Sequence, residues 1–467
     1  MSGVPDFNSA LFTLEEILAC CNASLLTDAK DISGQTVRGV FTDTRTISPG
    51  TLFVALSGDN FDGHNFLQQA ADAGAVAAIV EKDIDRNSVP DELLLLRVKS
   101  TLEALGDLAH CHRDKLSLEI IGITGSYGKT TTRAMIATAI ESQLKVLSTQ
   151  ENYNNEIGVA QTLLQLNSSH QAAVIEMGMR GKGQIEYLAK MARPSIGVIT
   201  NIGPQHIELL GSIENIASAK AELIRELPKT GAAILPADDA MFDYLKDQTS
   251  ARVVTFGQDE TAHYRVHKST FDASGYAVCQ IETPHHGVLE LRINLPGMHN
   301  AINAAAALAT ADVCEIDLNM AIQSLEKLRI PGKRMQLRHI ENAIIIDDCY
   351  NAGPSSMRAA LEVLKEFPDA KRRVAVLGSM LELGDWSEKE HHAIGEQANE
   401  LAQLIVGVGE DTKVLLEAAG QTETRWFENA ADAAKWIPAS VQKGDVILVK
   451  GSRSIGLEKV VEAICIT

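Results

Sequence analysis

Apolar residues in the middle of the chain come in short continuous runs and not in strict alternation with polar residues. Such runs occupy positions 118–123, 172–177, 196–200 and 232–235, and stretches with helical spacing separate them. This arrangement is typical of parallel strands whose two faces are both covered by helices. The pattern therefore predicts an α/β domain built on a parallel sheet within residues 100–329.

Other stretches of this central block have a different pattern of apolar and polar residues. Positions 255–295 alternate between apolar and polar residues, as in YAVCQIET and GVLELRINL, and predict an antiparallel insertion. The small-residue run AINAAAALATADVCEI that follows predicts a closely packed helix. Helices are also predicted at 131–143 and at 101–113, and the second of these links the block to the one before it.

Strands and helices also alternate on both sides of the central block. Towards the C-terminus, strands are predicted at 343–346, 373–377, 404–408 and 446–450, with helices at 355–365, 391–402 and 431–437. Near the N-terminus, strands are predicted at 39–41, 52–55 and 77–80, with a helix at 65–73. We therefore expect an α/β protein of three domains, at 1–99, 100–329 and 330–467, the last of them Rossmann-like.

The composition agrees with a globular protein of several domains. The 467 residues include 45% hydrophobic and 22% charged residues, and the net charge of −19 without a basic block argues against nucleic-acid binding. The N-terminus does not resemble a signal peptide, and no apolar run approaches the ~20 residues of a membrane-spanning helix. Seven scattered cysteines without metal-binding spacing predict reduced thiols, and the adjacent Cys20 and Cys21 are expected simply to pack.

The segment IGITGSYGKT carries the strongest chemical signal. It joins an apolar strand to a helix, and in such turns backbone N–H groups and the helix N-terminus bind nucleotide phosphates. Lys129 is expected to reach the β- and γ-phosphates, and Thr130 to place its hydroxyl on Mg²⁺. Ile123 stands where the general phosphate-loop pattern has glycine, so an ordinary glycine-rich turn is the alternative. The candidate nucleotide-binding residues are Thr124, Gly125, Ser126, Tyr127, Gly128, Lys129, Thr130 and Thr131.

Three further side chains of the central block have both a chemical and a structural interpretation. Glu176 closes a buried strand, where open α/β sheets bind ligands, so it is suited to hold Mg²⁺, with a helix-capping or surface glutamate as the alternative. His206 follows a strand in a Gly-Pro turn and is equally compatible with a structural role. Lys220 lies in a predicted helix and, on the residues alone, is a solvent-facing lysine.

Polar residues also surround the junction between the second and third blocks. Asn300 and Asn303 begin the small-residue helix, where an amide can pair with a purine edge or cap the helix. The apolar strand IIIDD ends in Asp347 and Asp348, a placement that is unfavourable unless the acids bind a ribose or a cation. Arg334 in PGKRM is suited to a phosphate oxygen.

Together these motifs resemble the Mur ligases, ATP-dependent enzymes that build the peptide stem of bacterial cell-wall precursors. The segments TGSYGKTT, EMGMRGKGQI, TNIGPQHIELLGS, GMHNAINAAAA, PGKRMQ and DDCYNAGPSSM occur in the family's order and span the chain. DDCYNAGPSSM followed by LGSMLELG is similar to the members that join D-alanyl-D-alanine to UDP-N-acetylmuramoyl-tripeptide. A member that adds a single amino acid is the alternative. One departure is Gly353, where Asn is frequent before the proline.

The resemblance implies a UDP-substrate domain, a central ATPase domain and a C-terminal Rossmann-like domain, with ATP and Mg²⁺ as cofactors of an acyl-phosphate mechanism. It implies that the catalytic residues are Lys129, Glu176, His206, Lys220 and Arg334. The metal would be held by Thr130, Glu176, His206 and Lys220, the last of which is often carbamylated in relatives. ATP would further contact Asn300, Asn303, Arg334 and Asp348. The UDP-substrate would contact Thr44, Arg45, Asp62, His64, Asn152, Asn155 and Arg180.

The same resemblance implies a monomer in the bacterial cytoplasm that serves peptidoglycan synthesis, and with it cell shape and division, and leaves the third tripeptide residue open between diaminopimelate and lysine. Other classes fit the residues less well. A switch GTPase would need an Asn-Lys-x-Asp motif, which the sequence lacks. A small-molecule kinase needs neither the first block nor the third, and a non-catalytic binding protein has no use for Lys129, Thr130 and Glu176 together.

Overall fold

The computed structural model describes residues 8, 10–26, 32–58, 61–330 and 332–466. The start of the N-terminal segment, positions 59 and 60 of the polar loop before His64, and Pro331 of the PGKRM segment lie outside the described residues. Within them the chain forms three α/β units, each built on its own main sheet.

The N-terminal unit has a five-stranded main sheet and two further sheets of two short strands each. Its strands are β1 (Leu11–Thr13), β2 (Ser24–Leu25), β3 (Thr36–Arg38), β4 (Val40–Phe41), β5 (Thr51–Val54), β6 (Ser57–Gly58), β7 (Phe61–Asp62), β8 (Ala75–Val80) and β9 (Leu94–Arg97), and its helices are α1 (Leu14–Cys20) and α2 (Leu67–Asp72). The strand order is β2-β9-β8-β5-β4, and β4, β5, β8 and β9 run parallel. The apolar runs of β5 and β8 are buried because this sheet is covered on both faces.

The central unit has a nine-stranded sheet. Its helices are α3 (Thr101–Asp114), α4 (Lys129–Glu141), α5 (Glu156–Leu164), α6 (Gln184–Ala192), α7 (Ile207–Leu210), α8 (Ile213–Arg225), α9 (Phe242–Lys246), α10 (Met298–Val313) and α11 (Leu318–Leu325). Its strands are β10 (Glu119–Thr124), β11 (Val146–Ser148), β12 (Ala172–Glu176), β13 (Ile196–Ile199), β14 (Ala232–Pro236), β15 (Arg252–Gly257), β16 (Tyr264–Phe271), β17 (Ala277–Thr283) and β18 (Gly287–Ile293). The order β11-β12-β10-β13-β14-β15-β16-β17-β18 places β10 where the strand order reverses, the place at which ligands bind such sheets.

The predicted antiparallel insertion at 255–295 is wrong in one respect. β16, β17 and β18 are antiparallel to one another, but they extend the central sheet, since β16 pairs in parallel with β15 at Phe256 and Gly257. The alanines of α10 pack on the sheet, and Tyr264 and Val266 join the same core. The alternating pattern correctly indicated antiparallel strands, but it held no information on which neighbouring strand each of them pairs with.

The C-terminal unit has a six-stranded sheet. Its elements are β19 (Gln336–His339), β20 (Ala343–Asp348), α12 (Pro354–Glu366), β21 (Arg372–Gly378), α13 (Ser387–Leu401), β22 (Leu404–Val408), α14 (Thr412–Ala418), β23 (Glu423–Phe427), α15 (Ala430–Trp436), β24 (Asp445–Lys450) and α16 (Glu458–Ile466). The order is β19-β20-β24-β21-β22-β23, with β19 antiparallel and the others parallel. Met357, Leu361 and Phe367 of this unit share an apolar core with α10, so burial holds the central and C-terminal units together.

Cys20 forms a disulfide with Cys111, which joins the end of α1 to α3. The expectation that all cysteines are reduced is therefore wrong for this pair. The two residues are 91 positions apart with Cα atoms at 6.5 Å, and nothing in the local spacing of the sequence marks them as partners. Among the described residues, none of the helices has the length and apolar character that crossing a membrane requires.

Candidate active site

A cavity of 760 Å³ lies between the carboxyl ends of the central strands and the C-terminal unit. Its wall contains the turn after β10, residues that follow β12 and β13, the start of α10, and the segments after β20 and β24. Of the residues predicted from the sequence it includes Ser126, Tyr127, Gly128, Lys129, Thr130, Thr131, Asn152, Glu176, His206, Asn300, Asn303, Arg334 and Asp348. Two units thus surround one space of the size that binds small molecules.

Two glycines shape the turn that precedes α4. Gly125 has a φ of +150° and Gly128 a φ of +77°, and a Cβ on Gly125 would collide with the Thr200 hydroxyl. Lys129 Nζ donates to the carbonyls of Gly125 at 2.7 Å and Ser126 at 3.1 Å, so the ammonium folds over the turn. Burial lowers the pKa of Lys129. A cation above a helix N-terminus is the arrangement that binds phosphate.

Asn201 anchors this turn from behind. Its Oδ1 accepts from the Tyr127 N–H at 2.9 Å, its Nδ2 donates to the Tyr127 carbonyl at 3.0 Å, and its own carbonyl accepts from the Ser126 N–H. Thr124 donates its hydroxyl to the Met177 carbonyl at 2.9 Å and lies behind the wall. The N–H groups of Ser126 and Tyr127 are thus occupied, whereas those at the start of α4 lack intrahelical partners and can face an anion.

Glu176 combines burial with an oxygen that accepts no hydrogen bond from the described residues. The residue is 1% exposed, and its Oε1 accepts from Asn154 Nδ2 at 2.8 Å. Its Oε2 has no hydrogen-bond partner among the described residues, and the Arg133 Nε is 3.8 Å away. A buried carboxylate oxygen that accepts no hydrogen bond at a phosphate site is suited to a divalent cation, which takes one or two protein carboxylates together with substrate phosphates. These residues therefore fit Mg²⁺.

His206 lies at the domain junction with a φ of +59°. Its Nδ1 is 3.2 Å from the Oε2 of Glu382 in the C-terminal unit. Burial lowers the pKa of His206, Glu382 opposes the shift, and the charges of Lys129, Lys220 and Arg180 add to it. A neutral imidazole is the form that binds metals.

Lys220 in α8 is buried and not solvent-facing, so the expectation drawn from the residues alone is wrong. It is 2% exposed, and burial together with the charge of Lys129 brings its pKa well below the usual value. Lys220 lies among apolar residues of α8. The sequence did not indicate that other parts of the protein cover the helix face that carries Lys220. Lys220 does not reach the cavity wall, although its charge acts on His206.

Asn300 and Asn303 begin α10 beside the phosphate turn. Asn300 Nδ2 donates to the Pro296 carbonyl at 2.7 Å, and its Oδ1 accepts from Asn303 Nδ2 at 3.3 Å. A Cβ on Gly128 would lie 3.2 Å from Asn303 Oδ1, so the two segments are in contact. Both asparagines line the cavity, and part of their amide capacity is used within the protein.

Asp348 lies opposite these residues, in the C-terminal unit. Its Oδ2 accepts from Lys450 Nζ at 2.6 Å, and its Oδ1 accepts from the Met335 N–H at 3.1 Å. Burial raises the pKa of Asp348, and Lys450 opposes that shift. The Arg334 guanidinium stacks on the Tyr350 ring with 3.9 Å between its Cζ and the ring centroid.

Sequence analysis missed Lys450, Tyr350, Asn154 and Arg133. Lys450 ends a buried strand, as Glu176 does, and a charged residue at such a place was the available signal. Asn154 stands in the run NYNNE, where the pattern cannot select the asparagine that turns toward Glu176.

The predicted substrate residues are dispersed. Asn152 lines the cavity, whereas Asn155 caps α5 by accepting from the Gly158 N–H at 2.9 Å, and Arg180 is exposed near His206. Arg45 pairs with Asp43 at the surface of the N-terminal unit, beside Thr44. Asp62 and His64 pair at 2.7 Å there, and Lys82 reaches Asp62 at 2.7 Å. The structure does not bring these N-terminal residues into the cavity wall.

Three family models match the chain, and together they cover most of its length. They are the Mur ligase family catalytic domain at 36–113, the Mur ligase middle domain at 123–311, and the Mur ligase glutamate ligase domain at 333–453.

Curated relatives and solved structures match over nearly the full chain. A UDP-N-acetylmuramoyl-tripeptide–D-alanyl-D-alanine ligase of Synechocystis is 36% identical, over 97% of this chain and 96% of the relative. The ligase of the same name from Escherichia coli is also 36% identical, over 92% and 94%. A crystal structure of MurF from Acinetobacter baumannii superposes with a TM-score of 0.90 at 32% identity, over 98% and 99%. MurF from Thermotoga maritima in complex with ADP gives 0.82 at 27% identity, over 91% and 96%.

Proposed function

The chain belongs to the Mur ligase family, and we propose that it joins D-alanyl-D-alanine to UDP-N-acetylmuramoyl-tripeptide while ATP is converted to ADP and phosphate. The observation that carries the proposal is the single cavity in which the phosphate turn, Glu176 and Asp348 meet. Relatives that carry this activity in their names match both ends of the chain, which favours it over ligation of a single amino acid.

The chemistry begins with the terminal carboxylate of the tripeptide. A carboxylate oxygen attacks the γ-phosphorus, the bond to the bridging oxygen of ADP breaks, and an acyl phosphate forms. The amine of D-alanyl-D-alanine then adds to the acyl carbon, loses a proton, and phosphate leaves with the former carboxylate oxygen. Lys129 and the N-terminus of α4 stabilise negative charge on the transferred group, so the protein acts chiefly by positioning and electrostatics.

Mg²⁺ would be held by Thr130, Glu176 and His206, and when bound it neutralises charge on the phosphates. The unpaired Oε2 of Glu176 and the lowered pKa of His206 support this set. Lys220 belongs to it in carbamylated form: a low pKa supplies the neutral amine that adds to CO₂, and the product is a carboxylate.

The remaining roles follow the position of each residue. We propose that Asn300 and Asn303 contact the adenine of ATP. Asp348 and Arg334 would contact its ribose and phosphates, because all four residues line the cavity. We assign the UDP-substrate to Asn152 and to residues outside the wall, which are Thr44, Arg45, Asp62, His64, Asn155 and Arg180. For the residues outside the wall to contact the substrate, the N-terminal unit must bind the UDP group while the peptide extends into the cavity.

We further propose domain boundaries near residues 99 and 329 and a monomer that acts in the bacterial cytoplasm on UDP-linked cell-wall precursors. In a reducing compartment Cys20 and Cys111 would remain adjacent as thiols.

The test is phosphate release from ATP with UDP-N-acetylmuramoyl-tripeptide, with and without D-alanyl-D-alanine. We expect release to depend on both substrates. Release with a single amino acid in place of the dipeptide would keep the family and reject the member, and release without any UDP-peptide would reject a ligase.

A further inference from the structure

Tyr127 is the side chain of the phosphate turn that reaches the C-terminal unit. A Cβ built on Gly353, at the start of α12, would lie 3.0 Å from Tyr127 Cε1. A Cβ built on Gly203 of the central unit would lie 2.7 Å from Cε2 of the same ring. The ring is therefore held between two glycines that belong to different units.

The backbone of Gly353 does not itself require glycine. Its φ of −156° and ψ of 165° are extended values that any residue adopts. Gly353 is the N-cap of α12, a position where Asn, Asp and Ser are favoured because their side chains accept from the first turn of the helix. Here a Cβ would lie 3.0 Å from the Tyr127 ring, closer than ordinary van der Waals contact, so a side chain at position 353 would require the ring to shift, and this contact favours glycine.

The direction of the Tyr127 side chain is fixed by its own main chain. The Tyr127 carbonyl accepts from the Thr200 hydroxyl at 2.6 Å, and Asn201 holds both the N–H and the carbonyl. The phenol oxygen is buried beside Ser355; burial raises the pKa of the phenol, and contacts with Ser355 oppose that shift. The nearest approach to a Cβ built on Gly353 is made by the ring carbon Cε1 and not by the hydroxyl.

We propose that Tyr127 and Gly353 are a matched pair that seats the N-terminus of α12 on the phosphate turn and so couples nucleotide binding to docking of the C-terminal unit. The proposal rests on the proposed function in that the turn is taken to bind ATP. Tyr127 is a positioning residue: it lies two residues before Lys129, and α12 follows the strand that carries Asp348. When the pair fits, cationic and acidic groups from the two units face the same nucleotide.

The first test is a double-variant cycle on Tyr127→Ala, Gly353→Asn and the two combined, with Tyr127→Phe as the conservative variant. We expect each single change to raise KM for ATP about tenfold, with a smaller change in kcat, while Tyr127→Phe stays within about twofold of the parent. Adding Gly353→Asn to Tyr127→Ala should cause no further loss, because the side chain at 353 then has room. If the increase in KM for ATP in the double variant equals the product of the increases in the two single variants, the pairing is overturned. Gly353→Ala, which adds one methyl group, replaces Gly353→Asn if thermal melting shows that Gly353→Asn is unfolded.

The second test does not depend on ligation. Hydrogen exchange of residues 350–360 is measured with and without a non-hydrolysable ATP analogue and Mg²⁺. We expect the analogue to protect this segment in the parent and in Tyr127→Phe but not in Tyr127→Ala or Gly353→Asn. Equal protection in all four, or none in the parent, would reject the coupling. Normal coupling in a protein without dipeptide ligation would instead reject the proposed function and leave the pair intact.

Discussion

Lys450 Nζ lies 2.6 Å from Asp348 Oδ2, and this ion pair joins the ends of β24 and β20 beside the cavity. Both residues are buried, at 2% and 8% exposure. Lys450 also donates to the Asn351 carbonyl at 2.9 Å, so it holds the segment that leads from β20 into α12. Because both charges are buried, removal of either partner would leave the other charge uncompensated.

Removing Lys450 should therefore destabilise the protein. Lys450→Met leaves the Asp348 carboxylate buried without its partner, which corresponds to about 3–5 kcal/mol and a fall in Tm of about 6 °C or more. The matched control is Lys435→Met, which removes an exposed pair with Asp432 and should change Tm by about 1 °C or less. Equal melting of the two variants would show that the buried pair contributes nothing.

Lys129→Ala should abolish turnover while the fold survives. Within the described part of the chain, the ammonium donates hydrogen bonds to the carbonyls of its own turn and to Gln205, so its loss removes charge stabilisation of the transferred phosphoryl group with little effect on packing. We expect kcat to fall at least about 10³-fold with an unchanged Tm. Lys145→Ala, an exposed lysine of the same unit, is the control. Ligation near the parent rate in Lys129→Ala would show that the phosphate turn does not take part in the mechanism as proposed.

Glu176→Ala should raise the Mg²⁺ concentration needed for half-maximal activity. The unpaired Oε2 is the proposed ligand, and Asn154 orients the carboxylate through Oε1. We expect a shift of at least about 100-fold for Glu176→Ala and about tenfold for Asn154→Ala. The measurement is a Mg²⁺ titration at saturating ATP. Unchanged titration curves would mean that Glu176 does not hold the metal.

Lys220→Ala should be a weak enzyme that short carboxylic acids partly restore. Lys220 acts on His206 through its charge, and a formate or acetate ion that enters the space left by the truncation can supply the carboxylate that the carbamate is proposed to provide. The readout is the ligation rate as acetate concentration rises, with the parent enzyme treated identically. A well-folded variant without rescue would speak against carbamylation.

His299 should make the protein less stable in acid. Burial, with a smaller contribution from Lys450, lowers its pKa from 6.5 to about 4. Between these values the unfolded chain binds a proton that the folded chain does not, so stability falls as the pH decreases from 6.5 toward 4. The expected contribution is about 2 kcal/mol, since His299 keeps some exposure to the cavity. His299→Gln should therefore narrow the difference in Tm between pH 6.5 and pH 4.5, and an equal difference would contradict this.

Local sequence patterns predicted the strands and helices that position the site. The apolar run at 118–123 became β10, and the lysine and threonine after the glycine-rich turn begin α4, because the signals for a buried strand and a helix start are local. The burial of Lys220 and the pairing of Lys450 with Asp348 depend on residues about a hundred positions away or on other elements, and spacing along the chain carries no such information.

Two further features show the same limit. The Cys20–Cys111 bond and the contact of Tyr127 with Gly353 both join residues from separate units, so only the folded chain brings them together. Gly353 was noted as a departure from the resemblance, and the Tyr127 ring supplies its physical reason. Candidate site residues at strand ends, such as Glu176, could be proposed from the sequence because open α/β sheets bind ligands there.

The most direct test of the proposed ligation follows oxygen from the tripeptide. The substrate is UDP-N-acetylmuramoyl-tripeptide whose terminal carboxylate carries ¹⁸O at both positions, incubated with ATP, Mg²⁺ and D-alanyl-D-alanine, and the products are examined by mass spectrometry. An acyl phosphate requires one labelled oxygen in the released phosphate and one in the new amide of the pentapeptide product. Unlabelled phosphate, or a product that lacks the dipeptide, would contradict the account.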